Sequence, residues 1–131
     1  MRDWKILVVE DESLIALHLK CILINAGCVV CGIAGNAEEA IDYARAERPD
    51  AILMDIHLPG LKDGIDAAIG IRTFLDSAII FMTGYSDPGI RERALAMEHA
   101  SYLVKPIRFG DIDAILQTLN KTSVSSLPGA E

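Results

Sequence analysis

Four apolar segments of the sequence end in residues that could take part in metal and phosphate chemistry. These ends are Glu10-Asp11-Glu12, Asp55, Thr83-Gly84 and Lys105-Pro106. Clustered carboxylates repel one another unless a cation neutralises them, and oxygen ligands with room for water suit Mg²⁺. A carboxylate beside Mg²⁺ can attack a phosphoryl group and form an aspartyl phosphate. Such a transfer needs neutralisation of charge around the phosphoryl oxygens, for which a hydroxyl and an ammonium are suitable groups.

The elements that would bring these residues together are short apolar strands that alternate with helices. The sequence predicts strands over 4–10, 28–35, 51–55, 78–83 and 101–105, and helices over 12–27, 36–49, 63–75, 87–100 and 109–121. Five strand–helix repeats predict a parallel sheet with helices on both faces and strands that are apolar throughout. Ligands of such α/β sheets bind beyond the carboxyl ends of the strands, where all four groups are expected.

Local signals support the helix bounds. Asn36 is the predicted N-cap of the second helix, Gly27 the end of the first, and Pro88 a residue of the fourth helix's first turn. On the first helix, positions 15, 19, 22 and 26 form one apolar face, and Leu14, Leu17, Cys21 and Ile24 form a second stripe. The last helix has apolar positions 112, 115, 116 and 119. The second stripe is either part of one broad buried face or a docking surface for a partner helix.

Length and composition exclude several classes of function. The 131 residues fit one domain, predicted over 1–121, with a flexible Ser-, Pro- and Gly-containing tail or linker over 122–131. A net charge of −7 argues against direct binding of nucleic acid. No apolar run approaches the roughly 20 residues that span a bilayer, and no signal-peptide pattern is present. A cytoplasmic location is expected.

Three cysteines raise the question of redox or zinc chemistry. Cys28-Val-Val-Cys31 has the C-x-x-C spacing, and Cys21 is the third cysteine. A zinc site needs a second pair of ligands at similar spacing, and a redox motif stands at a helix start rather than in a β-branched run. The favoured interpretation is two small apolar residues of a strand.

Five motifs, in order and each at the expected strand end, carry a resemblance to a known family. They are "VVEDE" (8–12), "LMDIHLPG" (53–60), "DGI" (63–65), "FMTGYS" (81–86) and "YLVKP" (102–106). Together they resemble the receiver domain of bacterial response regulators, the phosphorylated proteins of two-component signalling, over residues ~4–121. The resemblance implies a flavodoxin-like fold with five parallel strands in the order 2-1-3-4-5 and five helices.

The resemblance also implies a role for each residue of the site. Asp55 is the phospho-acceptor, and Glu10, Asp11, Asp55 and the backbone carbonyl of His57 hold Mg²⁺. Thr83 moves to bond the phosphoryl group, Lys105 pairs with it, and Tyr102 is the aromatic residue of the switch. The Lys105–Pro106 peptide bond is expected to be cis, as in the family.

Three features depart from the family's usual pattern. The loop from Asp55 to Asp63-Gly64 is one residue longer, with Leu61-Lys62 before the "DG". "FMTGYS" resembles the Phe-x-Thr-Gly-Tyr-like motif of a single-domain receiver subgroup of alphaproteobacterial stress signalling, with Met82 and Ser86 at altered positions. His99 replaces a frequent Gly, at a modest conformational cost.

Several site residues also have ordinary structural explanations. Asp55 could be a turn residue before Pro59-Gly60, and Glu10 with Asp11 could cap the first helix while also binding metal. Tyr102 could be an amphipathic edge residue. The His57 ring could act as a ligand, although Mg²⁺ prefers oxygen and favours the carbonyl.

The sequence therefore predicts a Mg²⁺-dependent phospho-acceptor switch rather than an enzyme with an external substrate. A histidine kinase or phosphotransfer protein would be the donor, and a downstream protein or a homodimer through helix four, strand five and helix five would be the output. A haloacid-dehalogenase-type phosphohydrolase would want an Asp where His57 stands. An FMN-binding flavodoxin would want a hydroxyl- and Gly-rich loop in place of Glu10-Asp11-Glu12. A receiver that binds partners without phosphorylation would not need the acceptor set.

Overall fold

The structure, a computed structural model, describes residues 3–84 and 88–126, without the side chains of 118 and 120–126. Strands and helices alternate along the chain. The strands are β1 (Lys5–Val9), β2 (Val29–Ala34), β3 (Ala51–Asp55), β4 (Ala78–Thr83) and β5 (Ala100–Val104). The helices are α1 (Ser13–Asn25), α2 (Ala37–Glu47), α3 (Gly64–Arg72), α4 (Pro88–Leu95) and α5 (Phe109–Ser126).

The five strands form one parallel sheet in the order β2-β1-β3-β4-β5. This order confirms the predicted fold class. The register places Val9 beside Met54, Asp55 beside Met82, and Thr83 beside Val104. The last residues of adjacent strands therefore lie side by side at one edge of the sheet.

Two apolar clusters, one on each face, hold the sheet between its helices. One joins Ile52, Met54 and Phe81 to α2 and α3, and the other joins Leu53 and Met82 to α1 and α5. All residues of β3 and β4 are buried, as predicted for strands covered on both faces. β2 and β5 are partly exposed because each is an edge strand with one neighbour.

Most predicted helix ends are confirmed. The Asn36 side chain accepts a hydrogen bond from the Glu39 N–H at 2.9 Å and caps α2. Gly27 has φ +91° just beyond α1, where a residue with a Cβ would be strained. The Lys105–Pro106 bond is cis, as expected. No helix in the described ranges is long and apolar enough to cross a membrane.

The ends of α3, α4 and α5 differ from the prediction, and α3 stops at Arg72 rather than at 75. α4 stops at Leu95 rather than at 100, because the chain must turn before Ala100 enters β5. The His99 carbonyl already accepts the Ile79 N–H at 2.9 Å, which is incompatible with continuing the helix. α5 continues to Ser126, so the predicted tail begins as helix, and residues 127–131 lie outside the described part.

The two apolar stripes of α1 have different environments. Leu19 and Ile22 are buried as predicted, together with Ala16 and Leu23, whereas Ala26 is exposed because α1 has already ended there. The residues of the second stripe are all exposed: Leu14, Leu17, Cys21 and Ile24. The alternative of one broad buried face is therefore wrong.

The C-x-x-C spacing does not bring two thiols together. Cys28 belongs to the cluster on the α1 and α5 face, whereas Cys31 packs against the cluster on the α2 and α3 face. Burial raises the pKa of both thiols, which disfavours the reactive thiolate. The favoured interpretation of two packed strand residues agrees with this placement.

Hydrogen bonds from the Arg72 side chain connect the end of α3 to the backbone of the turn between α4 and β5. The Arg72 guanidinium donates to the carbonyls of Ser77, Glu98 and His99. His99 itself is left-handed, with φ 54°. A residue with a Cβ pays conformational free energy for that geometry, whereas glycine does not.

His99→Gly should therefore raise the free energy of unfolding, by about 0.5–1 kcal/mol, because glycine adopts the left-handed conformation without strain. Urea denaturation measures the change. His99→Ala is the matched control, since it also removes the imidazole that faces Asp76 at 3.3 Å but keeps the Cβ. Equal stability of the Gly and Ala variants would contradict the interpretation that the left-handed conformation at position 99 costs free energy.

Candidate functional site

The polar residues predicted at the strand ends meet at one edge of the sheet. Glu10 directly follows β1, Asp55 ends β3, Thr83 ends β4, and Lys105 follows β5. Hydrogen bonds continue the sheet just past these ends: the Glu10 N–H donates to Ala34 at 2.9 Å, and the Lys105 N–H to Thr83 at 2.7 Å. The backbone therefore fixes where each of these side chains begins.

Lys105 joins the two buried carboxylates of the site. Its Nζ lies 2.6 Å from Glu10 Oε1 and 3.1 Å from Asp55 Oδ2. Glu10 is 2% exposed and Asp55 3% exposed, so both carboxylates have lost nearly all contact with water. Ionised groups in such positions are tolerated only when they are paired and hydrogen-bonded. Lys105 supplies both conditions.

Two opposing effects act on the Lys105 ammonium. Burial alone lowers its pKa, but the hydrogen bond with Glu10 and the charge of Asp55 outweigh burial, and the pKa lies above its ordinary value. A pKa raised on folding means that the ammonium stabilises the fold at neutral pH. That contribution is lost as the pH rises through the raised pKa.

A third carboxylate completes an acidic cluster. Glu10, Asp11 and Asp55 each place a carboxylate oxygen so that all lie within 4.8 Å of one another, with Asp11 exposed to solvent. Three hard oxygen donors, one of them open to water, fit the way in which proteins bind Mg²⁺. Glu12, rather than Glu10 or Asp11, occupies the N-cap of α1 and makes no side-chain cap bond, while Glu10 Oε2 accepts the Glu12 N–H at 3.2 Å.

The loop after Asp55 holds the Asp55 carboxylate from the other side. The His57 N–H donates to Asp55 Oδ1 at 3.1 Å. Ile56 and Leu58 are buried on either side of His57, whose own side chain is exposed. This alternation anchors the loop backbone while the imidazole faces solvent, and the carbonyl of His57 as a metal ligand stays a prediction.

Gly64 has a positional requirement that the sequence did not reveal. A Cβ at Gly64 would lie 2.1 Å from the backbone oxygen of Asp55, and the Gly64 N–H donates to Ile56 O at 2.8 Å. Only glycine can approach the Asp55 backbone this closely. The "DG" at a predicted helix start was the available signal, but its spatial neighbour is nine residues away in sequence.

Thr83 and Tyr102 lie on adjacent strands near the site. Thr83 is fully buried at the end of β4, and Tyr102 pairs in register with Phe81 and packs, half-buried, against the cluster on the α2 and α3 face. Their predicted movement stays a prediction. Tyr85 and Ser86 of the "FMTGYS" motif lie outside the described residues.

An apolar cavity lies between α1 and the loop that follows β5, next to Lys105. Its volume is about 400 Å³. Leu14, Ile15 and His18 of α1 face Pro106 and Ile107 across it. The exposed Leu14 and Leu17 continue this apolar surface along α1, so the site opens beside a surface able to receive an apolar partner.

Lys105→Met should destabilise the fold by about 1–3 kcal/mol in metal-free buffer, because two buried carboxylates lose their counterion. Thermal unfolding with and without Mg²⁺ measures it, and added Mg²⁺ should stabilise the variant more than the wild type. The difference from wild type should narrow in strongly alkaline solution, because the wild type loses the Lys105 ammonium as the pH rises through its raised pKa. Lys62→Met, at an exposed lysine of the neighbouring loop, is the control. If Lys105→Met lowers the stability of the fold no more than Lys62→Met does, the proposed stabilising role of Lys105 between the two carboxylates would be contradicted.

Comparison with known proteins places this arrangement in a family. The family described as the response regulator receiver domain matches residues 6–117. The transcriptional regulatory protein PdtaR of Mycobacterium tuberculosis is 36% identical over 108 residues, which cover 82% of this chain and 52% of PdtaR. The phyllosphere-induced regulator PhyR of Methylorubrum extorquens is 33% identical, covering 86% of this chain and 42% of PhyR. The chain thus spans about half the length of these relatives.

Solved structures agree with the sequence relatives. The signal receiver domain of a modulated diguanylate cyclase from Desulfovibrio desulfuricans has a TM-score of 0.86 at 32% identity, covering 95% of this chain and 100% of that one. The receiver domain of PhyR from Erythrobacter litoralis has a TM-score of 0.76 at 30% identity, covering 90% and 91%. The chain belongs to the response regulator receiver domains of two-component signalling.

Proposed function

We propose that Asp55 accepts a phosphoryl group from a histidine kinase or a histidine phosphotransfer protein. The observation that carries the proposal is the arrangement around Asp55. Its carboxylate is buried, oriented by the His57 N–H and Lys105, and placed within 4.8 Å of Glu10 and Asp11. A capping or turn aspartate needs none of these partners.

The transfer itself needs no further protein base. An oxygen of the Asp55 carboxylate attacks phosphorus, the P–N bond to the donor imidazole breaks, and the released imidazole nitrogen takes up a proton. Glu10, Asp11, Asp55 and the carbonyl of His57 would hold Mg²⁺, which would neutralise phosphoryl oxygens when bound. Positioning and charge neutralisation supply most of the catalysis in such reactions. The protein thus promotes only its own phosphorylation and dephosphorylation.

Lys105 and Thr83 would respond to the new charge. Lys105 is already beside Asp55, and its ammonium can bond a phosphoryl oxygen with little movement. The Thr83 hydroxyl would turn towards the phosphoryl group, and Tyr102 would move inward with it. The inward movement of Tyr102 is an expectation from the family, and the half-buried position of its ring is compatible with two orientations.

The output surface would be formed by α4, β5 and α5. Exposed apolar residues lie on each of these elements: Leu95 at 45%, Val104 at 47% and Phe109 at 68% exposure. Charges added at a switch act by shifting a two-state surface of this kind. A downstream protein or a second copy of the chain would bind there in the phosphorylated state, in the cytoplasm.

The donor would approach over α1. The exposed stripe of Leu14, Leu17 and Ile24 and the cavity next to Lys105 lie on the same side of the site. An amphipathic helix of the donor could bury its apolar residues there.

PhyR of Bartonella quintana is described as an anti-anti-sigma factor, so a protein target rather than DNA is the favoured output partner for this acidic chain as well.

Asp55→Asn should abolish Mg²⁺-dependent modification by acetyl phosphate, because an amide lacks the nucleophilic oxygen. Intact-protein mass spectrometry detects the added phosphoryl group. Asp42→Asn, at an exposed aspartate of α2, is the matched control and should be labelled like the wild type. Labelling that persists in Asp55→Asn would contradict the assignment of Asp55 as the acceptor.

Thr83→Ala should leave acetyl phosphate labelling of Asp55 within about threefold of wild type, because the hydroxyl acts after transfer. The response of β5 and α4 should be largely lost. Amide chemical shifts with and without beryllofluoride measure it. Thr73→Ala removes a hydroxyl bonded to Gly70 at the far end of α3 and serves as control. A full response in Thr83→Ala would contradict the switch role.

A further inference from the structure

The start of α3 lies directly against the backbone of the acceptor. Gly64 leaves no room for a side chain against the Asp55 carbonyl, and its N–H is bonded to Ile56 O at 2.8 Å. The first turn of α3 and the acceptor's backbone must therefore move together. A displacement of one by even a fraction of an ångström is felt by the other, because packed contacts of this kind do not compress.

Asp63 fixes that first turn through a reciprocal capping box. Its Oδ1 accepts the Asp66 N–H at 2.9 Å, and its own N–H donates to Asp66 Oδ2 at 3.0 Å. The second carboxylate oxygen of Asp63 points to a different element. Asp63 Oδ2 lies 3.9 Å from Nη1 of Arg93 on α4. One side chain thus connects the cap of α3 to α4.

α4 is held against the sheet by few apolar side chains. Ala94 is its one buried residue, and Ile90 packs, half-buried, against the cluster on the α2 and α3 face. We infer that Arg93, Asp63 and Gly64 form a mechanical link that couples the position of α4 to the reactivity of Asp55. The link passes through α3 and is separate from Thr83 and Tyr102 on β4 and β5. It rests on the proposed phosphorylation of Asp55.

The direction of the coupling follows from the arrangement of the site. The Arg93–Asp63 pair coexists with the Lys105 bridge between Glu10 and the unmodified Asp55 carboxylate. The proposed link requires this pair to be weaker once Asp55 is modified, so that the pair favours the unmodified arrangement. If modification displaces α4, loss of the pair must favour modification by the same factor by which it frees α4, because coupling between two sites is reciprocal.

Arg93→Gln should tighten Mg²⁺-dependent binding of beryllofluoride about two- to fivefold, the range expected for an exposed ion pair. Titration followed by amide chemical shifts measures the dissociation constant. Arg91→Gln removes an exposed arginine two residues earlier on α4 and should change binding by less than about 1.5-fold. Equal binding of the two variants, or weaker binding of Arg93→Gln, would overturn the link.

A double-mutant cycle separates the link from a general effect on stability. Asp63→Asn keeps an oxygen that can accept the Asp66 N–H but removes the charge that faces Arg93. If the pair is the link, Asp63→Asn and Arg93→Gln together should change affinity no more than either alone. If the double variant changes the affinity by the product of the two separate factors, the link would be overturned. Absence of saturable binding in the wild type would contradict the proposed function, and the link with it.

Discussion

The bridge from Lys105 to Glu10 and Asp55 is the interaction on which the site depends. Two carboxylates at the ends of adjacent central strands, both almost fully buried, would repel each other and resist desolvation. The ammonium between them, at 2.6 and 3.1 Å, makes their burial possible. Because the Lys105 N–H is bonded to Thr83 O, the same residue also ties the end of β5 to the end of β4. Electrostatics and strand pairing therefore support one geometry.

The sheet supplies the precision of this geometry. Side chains on regular strands are held more rigidly than side chains on loops, which suits a site that works by positioning. The polar residues stand just where the apolar pattern of each strand stops, so the core determines the position of the site without burying it completely. The loop after Asp55 adds a second anchor through buried Ile56 and Leu58. Substitution of Ile56 or Leu58 would therefore also change how the loop after Asp55 is anchored beside the site.

The strands could be predicted because their signals are local, whereas their order was implied by the resemblance to receiver domains. Apolar runs mark β1, β3 and β4, and the carboxyl ends of parallel strands must share an edge. What could not be predicted depends on contacts between distant residues. The early end of α4 follows from pairing of His99 O with Ile79. The requirement for Gly64 follows from its contact with Asp55, and the exposure of the second stripe of α1 from the way that helix is rotated on the sheet.

The charge balance of the site explains why a divalent cation belongs to the proposed chemistry. Three carboxylates, those of Glu10, Asp11 and Asp55, share the site with one ammonium, which leaves two negative charges uncompensated. A phosphoryl group brings further negative charge into this region and would be repelled by it. One further side chain with a single positive charge would neutralise only one of the two negative charges, whereas a divalent cation at the oxygen cluster would neutralise both. The proposed phosphorylation of Asp55 would therefore depend on a divalent cation bound by Glu10, Asp11 and Asp55.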